Sequence, residues 1–583
     1  MEIIHYEKWD IHHHIIPEFY IDDLRKDGII TAEKFGWQLP PWTEEMQSKM
    51  MKKHNITRAF MSISAPGVYF GGDLFVRKFA RKCNEYMAEM IKDNPDKLRA
   101  FASVPLPDVE GAIQELKYSL DILKFDGIGL LSNVNGKYLG SKEYRSFFEE
   151  LNWRNAIVFI HPTVPPGKMD NKLLNVMYLF LLDTTRTIID FIRSGYHRDF
   201  PNIKFILSHG GGVLPAIYPF LMLRLKEENP AIESEFEKWK PQLYLDTARI
   251  PYYDYTMATS INLVGINHML LGTDFAWATI QYPYWLKQIS TLKIEQSYIQ
   301  DVFKGNAEQA LYTTAPNPPK YISIPDIEPF HIDNKGDEVR VKYHFHCNPA
   351  GVIEGVANID KSFKQDQVNR WDMNEAMGWM AENNYQRLML SLDMPHIWGL
   401  NADDIAAILN LSNKEIAQIR NQEPKRLGAF GAVDVDNVQH ALDTIDHCLK
   451  DLKLNGICIY TRVYDTKLED IIDLRILNKL KETGVPVLVH PKDSRGIPIS
   501  NENYLDSVYF IAKMLYMGKF GFLKDNKYIL THTGGIVPFL AQDIGILYYL
   551  QLNKNSMRKF MFDWLILKYL KGYEFLRRIT IDD

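Results

Sequence analysis

The chain has 583 residues, of which 46% are hydrophobic and 24% charged, a composition typical of globular proteins with room for two to four domains. Its net charge of −6 is spread along the chain, which argues against nucleic-acid binding and against a basic membrane-binding surface. The four cysteines form no Cys-x-x-Cys pair, the N-terminus lacks a signal-peptide core and no apolar run is long enough to span a bilayer, so we expect a cytoplasmic protein.

Apolar strands alternate with helical segments through residues 8–312. The predicted strands are 10–17, 57–63, 98–104, 127–131, 156–160, 203–208, 242–246 and 268–272. The predicted helices between them include 43–54, 73–93, 108–124, 141–154 and 178–194. Eight strand–helix units in about 300 residues indicate an α/β protein with a closed, TIM-like (β/α)8 barrel, which we assign to residues 1–312.

The second half of the chain repeats segments of the first. Residues 313–338 are rich in proline and predict an inter-domain linker. Beyond it, residues 61–66, 98–104 and 156–162 return as 390–395, 427–433 and 485–491, each 329 residues further along (427 against 98, for example). We therefore predict a second, tandem copy of the barrel in residues 339–583, degenerate and incomplete at its C-terminus.

Three consecutive histidines lie in the first predicted strand. Because alternate side chains of a strand share a face, His12 and His14 point the same way and His13 points to the outward face. Two imidazoles on one face can bind one metal ion, although three histidines in a row can also be accidental. The remaining ligands must then come from other strands.

Candidate ligands follow three further strands of the predicted barrel. His161 and His209 come directly after predicted strands, and Asp274 comes two residues after one. Residues just past the carboxyl ends of barrel strands share one rim. Singly, each could end a strand, sit in a tight turn or cap a helix. Together with His12 and His14 they predict a metal site, because imidazole and carboxylate donors suit Zn²⁺ and also Mn²⁺ or Fe²⁺.

Motifs along the first half resemble those of a known family. The first half of the chain resembles the amidohydrolase-related metal enzymes, in the branch that contains aminocarboxymuconate-semialdehyde decarboxylase and γ-resorcylate decarboxylase. Within that branch it is most similar to the 6-methylsalicylate decarboxylase type. The segments that carry the resemblance are residues 10–14, 63–67, 104–108, 159–162, 182–186, 206–211, 271–275 and 305–311. They cover the first half in order.

The resemblance implies roles for individual residues. It implies metal ligands at His12, His14, His161 and Asp274, with Zn²⁺ the expected ion and Mn²⁺ the alternative. It places His209 beside the metal as an acid/base group. Relatives of this type carry a carboxylate-binding arginine about eleven residues after the His209 equivalent, where this chain has Phe220. Arg224, one helical turn further on, is the candidate substrate-binding residue, and a surface charge on a helix is its other interpretation.

The resemblance implies non-oxidative decarboxylation of a salicylate-type or related unsaturated carboxylic acid. Either His209 or Asp274 could deliver the proton to the carbon that loses CO₂. The same residues also suit metal-dependent hydrolysis of a lactone or amide, and a non-catalytic metal-binding scaffold stays a third hypothesis. Aromatic residues suited to a flat substrate, or simply to the core, are Trp37, Trp42, Tyr69, Phe70 and Trp277.

The second half retains most of these groups. His344, His346, His490 and His532 match four of the five rim positions, and Asp582 is the candidate for the fifth. Asp543 stands eleven residues after His532, where an arginine would suit an acidic substrate. We expect either a vestigial barrel or a second metal site with altered substrate. The tandem barrels would form an intramolecular pseudo-dimer.

Overall fold

The chain folds into two compact units, residues 1–330 and 331–583. The computed structural model describes residues 6–26, 39–70, 72–165, 180–249, 254–278, 282–290, 292–314, 317–323, 340–393, 397, 400–461, 472–491, 527–531 and 580–581. Within these ranges, no helix has both the length and the hydropathy that crossing a bilayer requires.

The first unit is a barrel of eight parallel strands. Its strands are β1 (Lys8–His14), β2 (Ile56–Ser62), β3 (Leu98–Ser103), β4 (Gly127–Leu131), β5 (Asn133–Val134), β6 (Lys137–Tyr138), β7 (Ile157–His161), β8 (Lys204–Leu207), β9 (Leu243–Asp246) and β10 (Met269–Leu270). All but β5 and β6, which form a small antiparallel hairpin, pair in the order β1-β2-β3-β4-β7-β8-β9-β10.

The barrel closes between its last and first strands. After β10 the chain returns to β1: the amide of Asp274 donates to the carbonyl of His12 and the amide of Ile11 donates to the carbonyl of Leu271, each at 2.9 Å. Parallel strands in chain order that close on themselves are the (β/α)8 arrangement, so the predicted barrel of the first half is confirmed.

Helices follow the strands around the outside. They are α1 (Glu18–Lys26), α2 (Glu44–His54), α3 (Asp73–Asp93), α4 (Val109–Lys117), α5 (Arg145–Trp153), α6 (Phe180–Arg193), α7 (Tyr196–Asp199), α8 (Leu214–Glu228), α9 (Ile232–Trp239), α10 (Asp254–Val264), α11 (Tyr282–Ser290), α12 (Gln296–Gln300) and α13 (Asn306–Tyr312). Side chains mark where they begin: Thr43 caps α2 and Asp108 caps α4 by accepting a backbone N–H from the first turn.

Aromatic rings fill the barrel and support its carboxyl-terminal end. Phe60 stacks on Phe101, and Phe101 stacks on Phe159, with ring centroids 5.7 and 5.5 Å apart. The ring of Phe159 meets the ring of His12 edge-on at 5.2 Å. His12 therefore packs against an apolar layer of the barrel interior, where electrostatic interactions are weakly screened.

The second unit contains another parallel sheet in chain order. Its described strands are β11 (Val341–His346), β12 (Arg387–Ser391), β13 (Leu427–Val433), β14 (Gly456–Thr461), β15 (Val487–Pro491), β16 (Tyr528–Leu530) and β17 (Thr580–Ile581). Its described helices are α14 (Ala350–Ile359), α15 (Met373–Glu382), α16 (Ala402–Gln422), α17 (Val438–Asp446) and α18 (Leu474–Thr483). The parallel order of these strands agrees with the predicted second α/β unit. That both units are repeats of one plan stays a prediction.

The start of the predicted linker lies against the first unit. The ring of His268 bonds through Nε2 to the carbonyl of Asn317 at 2.7 Å, and the amide of Lys320 donates to Asn267 at 2.7 Å. The domain boundaries at residues 312 and 339 stay a prediction.

Candidate metal centre and active site

Two histidines of β1 face each other across a short gap. Their Nε2 atoms, in His12 and His14, are 2.9 Å apart, and both side chains are fully buried. The pairing of β1 with β2 is irregular between Asp10 and His13, next to these residues. Strand alternation thus brings together the two imidazoles that the sequence predicted to share a face.

Three more predicted residues meet them. Asp274 lies after β10, with Oδ1 3.4 Å from Nε2 of both His12 and His14, and Oδ2 3.5 Å from Nε2 of His209. The ring of His161, at the end of β7, lies 4.7 Å from the ring of His14 between centroids. One donor atom each from His12, His161, His209 and Asp274 lies within 4.8 Å of the others. The structure therefore gathers all five groups.

The outer ring nitrogens of three histidines are held by other groups. Nδ1 of His12 contacts Asp246 at 2.7 Å, that of His14 contacts Ser62 at 3.0 Å, and that of His161 contacts the carbonyl of Pro162 at 2.8 Å. Such contacts fix the ring and leave Nε2 for a metal, which is the usual outer layer of histidine metal sites. The donor set fits a divalent transition metal ion.

Burial and neighbouring charges shift the pKa values of the residues in this cluster. Burial disfavours the charged form of His12, but the carboxylates of Asp246 and Asp274 outweigh it and raise the pKa of His12 to about 10. Burial lowers the pKa of His14 to about 4 and that of His161 well below its usual value. Burial opposes the ionised form of Asp274, yet Arg249 and His12 hold its pKa well below the usual range. A cation is thus favoured between the two carboxylates.

Three residues of the cluster adopt left-handed backbone conformations. The φ angles are +53° at His209, +66° at Arg249 and +54° at Asp274. Asp and His tolerate this region better than most residues, whereas an arginine there is less common. Each such residue costs about 1–3 kcal/mol and persists only where the surroundings impose it. In all three residues the side chain takes part in the contacts around Asp274.

Sequence reasoning missed two polar residues of the site. Asp246 ends β9; its Oδ2 faces His12, and its Oδ1 accepts the backbone N–H of His209 at 3.0 Å. Arg249, three residues later, donates Nε–H to Oδ2 of Asp274 at 2.9 Å. The rule that found Asp274, an acid at the end of a barrel strand, also applied to Asp246.

The structure does not place Arg224 in the site, contrary to its prediction as the substrate-binding residue. On α8 its side chain is 48% exposed, pairs with Glu227 at 3.1 Å and lies over the ring of Phe220. The arginine beside the cluster is Arg249. The spacing that pointed to Arg224 therefore selected a surface charge.

The sequence predicts that His13 takes the outward face of β1, away from the metal ligands. His13 does point away from the cluster, but it is fully buried and its Nδ1 contacts Asp10 at 2.8 Å. Its ring stacks on Phe275, and Asp10 also accepts hydrogen bonds from Thr273. This contact holds the segment that carries Asp274 against β1.

A cavity of about 400 Å³ lies at the carboxyl ends of β2, β3, β4 and β7, the end of the barrel that carries the cluster. Its lining includes Ile63, Tyr69, Leu106, Leu131, Asn133 and Thr163. Of the aromatic residues predicted for the rim, Tyr69 lines this cavity and Trp277 donates to Ser64 at 2.8 Å. Phe70 is buried among Phe75 and Phe79, and Trp37 lies outside the described residues. A cavity of this size accommodates one substituted ring.

The second unit also brings histidines together. His344, His346 and His490 offer donor atoms within 4.8 Å of one another. His532, Asp543 and Asp582 lie outside the described residues.

Known proteins are similar to this chain over the region that contains the site. A family model described as amidohydrolase matches residues 9–312. A decarboxylase (macB) of Penicillium terrestre is 34% identical over 295 residues, which are 47% of this chain and 85% of that protein. The 6-methylsalicylic acid decarboxylase of Penicillium expansum is 32% identical over 280 residues, 46% of this chain and 84% of that protein.

Among solved structures, one described as an amidohydrolase II covers 52% of this chain and 99% of its own, with 25% identity and a TM-score of 0.49. The family match includes every residue of the buried cluster, from His12 to Asp274. The chain therefore belongs to the amidohydrolase family, in the branch that contains the decarboxylases of aromatic acids.

Proposed function

We propose that residues 9–312 catalyse the non-oxidative decarboxylation of a hydroxylated aromatic acid of the salicylate type. The observation that carries the proposal is the match to named decarboxylases along about 85% of their length, over the region that holds the buried cluster. The site chemistry alone serves a decarboxylase and a hydrolase equally. The relatives favour carbon–carbon bond cleavage.

Four residues would hold the metal in this proposal: His12, His14, His161 and Asp274. A divalent ion bound there supplies Lewis-acid chemistry, orienting the carboxylate and the ortho hydroxyl of the acid and stabilising negative charge. Three imidazoles and one carboxylate suit Zn²⁺ and Mn²⁺ alike, so elemental analysis of the isolated protein decides between them.

His209 is the proposed proton donor. Its Nε2 lies 3.5 Å from Asp274, and burial lowers its pKa, so that its protonated form gives up a proton readily. The proton adds to the ring carbon that bears the carboxylate. The bond between that carbon and the carboxylate then breaks, its electron pair stays with the ring, and CO₂ leaves. A proton from water then restores the protonated form of His209. No oxidant is needed, because the electron pair of the broken bond stays with the ring.

Arg249 is the proposed cationic residue of the site. Its Nε–H bond to Asp274 keeps that carboxylate ionised and in place for the metal. The side chain of Arg249 is 29% exposed, so its positive charge can also attract an anionic substrate. It takes the role for which the sequence suggested Arg224.

The test is CO₂ release from a panel of hydroxylated benzoic acids by the full-length protein loaded with Zn²⁺ or Mn²⁺. We expect turnover of at least one salicylate-type acid, lost after treatment with a chelator and in His12→Ala. Hydrolysis of lactones or amides without CO₂ would favour the hydrolase. Metal binding without turnover in either assay would favour the scaffold.

A further inference from the structure

The second unit carries a compact cluster of three histidines on its own sheet. His344 and His346 lie on β11, and His490 lies at the end of β15. Their ring centroids are 4.6, 5.0 and 5.4 Å apart. His490 is buried, and the two histidines of β11 are half-buried. Imidazoles gathered at such short separations are suited to share one ion.

The backbone that aims these histidines matches that of the first unit. β11 pairs with β12 with an irregularity between Lys342 and Phe345, and β1 pairs with β2 with one between Asp10 and His13. In each case the irregularity contains the first histidine of the pair. In the first unit the corresponding rings, of His12, His14 and His161, have centroids 4.7, 5.2 and 4.7 Å apart. The separations between corresponding rings thus agree within 0.7 Å in the two units.

A carboxylate lies beside the second cluster. Oδ2 of Asp393 is 3.0 Å from Nδ1 of His346. Carboxylates next to histidine ligands orient the ring and raise its basicity. The donor group itself, as far as the described residues go, consists of imidazoles, whereas the first cluster includes Asp274.

We propose that the second unit binds a divalent metal ion through His344, His346 and His490, separately from the site of the first unit. A neutral three-imidazole donor set favours Zn²⁺, Co²⁺ or Ni²⁺ over Mn²⁺, which prefers carboxylate oxygens. The two sites of one chain thus differ in selectivity.

Metal counting on the full-length protein tests this proposal. After removal of metal and dialysis against Zn²⁺, we expect two zinc ions per chain in the wild type and one in His344→Ala/His346→Ala. After dialysis against Mn²⁺ we expect one manganese ion per chain, lost in His12→Ala/His14→Ala. His447→Ala is the matched control, since His447 pairs with Asp451 on the surface of the same unit. An unchanged zinc count in His344→Ala/His346→Ala would overturn the proposal.

A second measurement covers the case in which the variant of the second site fails to fold. His12→Ala/His14→Ala leaves the second unit intact, and Co²⁺ added to it should give visible d–d absorption bands with one ion bound per chain. Absence of those bands in protein whose circular dichroism matches the wild type would overturn the proposal. Neither readout depends on decarboxylation, so the proposed activity of the first unit stands or falls separately.

Discussion

Asp246 and His12 are 234 residues apart in the chain, and their side chains meet at 2.7 Å inside the barrel. The carboxylate of Asp246 fixes the imidazole of His12 through Nδ1 and leaves Nε2 for the proposed metal ion. Because its other oxygen accepts the amide of His209, Asp246 connects a proposed ligand to the proposed proton donor.

Replacing Asp246 with asparagine should weaken metal binding to the first unit by about 10- to 100-fold, the usual effect of losing a carboxylate behind a histidine ligand. Asparagine keeps one oxygen for the amide of His209 but presents an N–H group to His12. Competition with a chromophoric chelator measures the affinity. Asp199→Asn, which alters a surface ion pair with Arg145, is the control. Equal affinities in both variants would contradict the role of Asp246.

Gly272 leaves space for the contact between His12 and Asp246. A Cβ at this position would lie 2.8 Å from Cβ of His12 and 3.0 Å from Cγ of Asp246. Gly272→Ala should therefore displace the His12 ring and lower metal affinity by at least about tenfold. Gly129→Ala, whose added Cβ meets its first neighbour at 3.6 Å, should leave affinity unchanged. The account is wrong if the two alanine variants bind metal alike.

Variants of Arg249 and Arg224 test which of the two arginines binds the substrate. Arg249→Gln should lower kcat/KM by about 10- to 100-fold, since it removes a charge-assisted hydrogen bond worth about 1.5–3 kcal/mol. Arg224→Gln should keep wild-type kinetics because that side chain is exposed and pairs with Glu227. Steady-state kinetics on the best acid of the panel compares them. A large loss in Arg224→Gln would restore the assignment made from the sequence.

Replacing His209 and replacing His14 should have different effects on metal binding and on turnover. His209→Asn is expected to retain the metal and lose turnover, because His209 is proposed to move a proton. His14→Ala is expected to lose both. Elemental analysis alongside CO₂ release distinguishes the two variants. If His209→Asn also loses its metal, His209 is a ligand, in agreement with its place in the group of four donor atoms that lie within 4.8 Å of one another.

The rim of the barrel was predictable because strand ends can be found from local patterns. His161 ends the short apolar strand β7, and Asp274 lies shortly after β10. Parallel strands bring their carboxyl ends together whatever lies between them in the chain. The bounds of β4 agree with the prediction, and those of β7 are shifted by one residue. β1 begins two residues and ends three residues before its predicted bounds, which leaves His12 and His14 on the same face of the strand. Most residues of the site could therefore be predicted from the barrel topology alone.

Side chains outside the strand-end rule were harder to predict. Arg249 reaches Asp274 only because its backbone is left-handed, and no local pattern marks an arginine for that conformation. The partner of His13 is Asp10 of the same strand, which alternation would not pair across three residues. The roles predicted for Asp582 and the pairing of the two units as a pseudo-dimer stay predictions.

The most direct test of decarboxylation is proton NMR of the reaction run in D₂O. We expect the metal-loaded protein to convert a salicylate-type acid to a phenol with deuterium at the carbon that carried the carboxylate, with one CO₂ per product. The same acid should stay intact with His209→Asn. A hydrolysis product with the carboxylate still on the ring, or a phenol that forms equally fast with His209→Asn, would contradict the account.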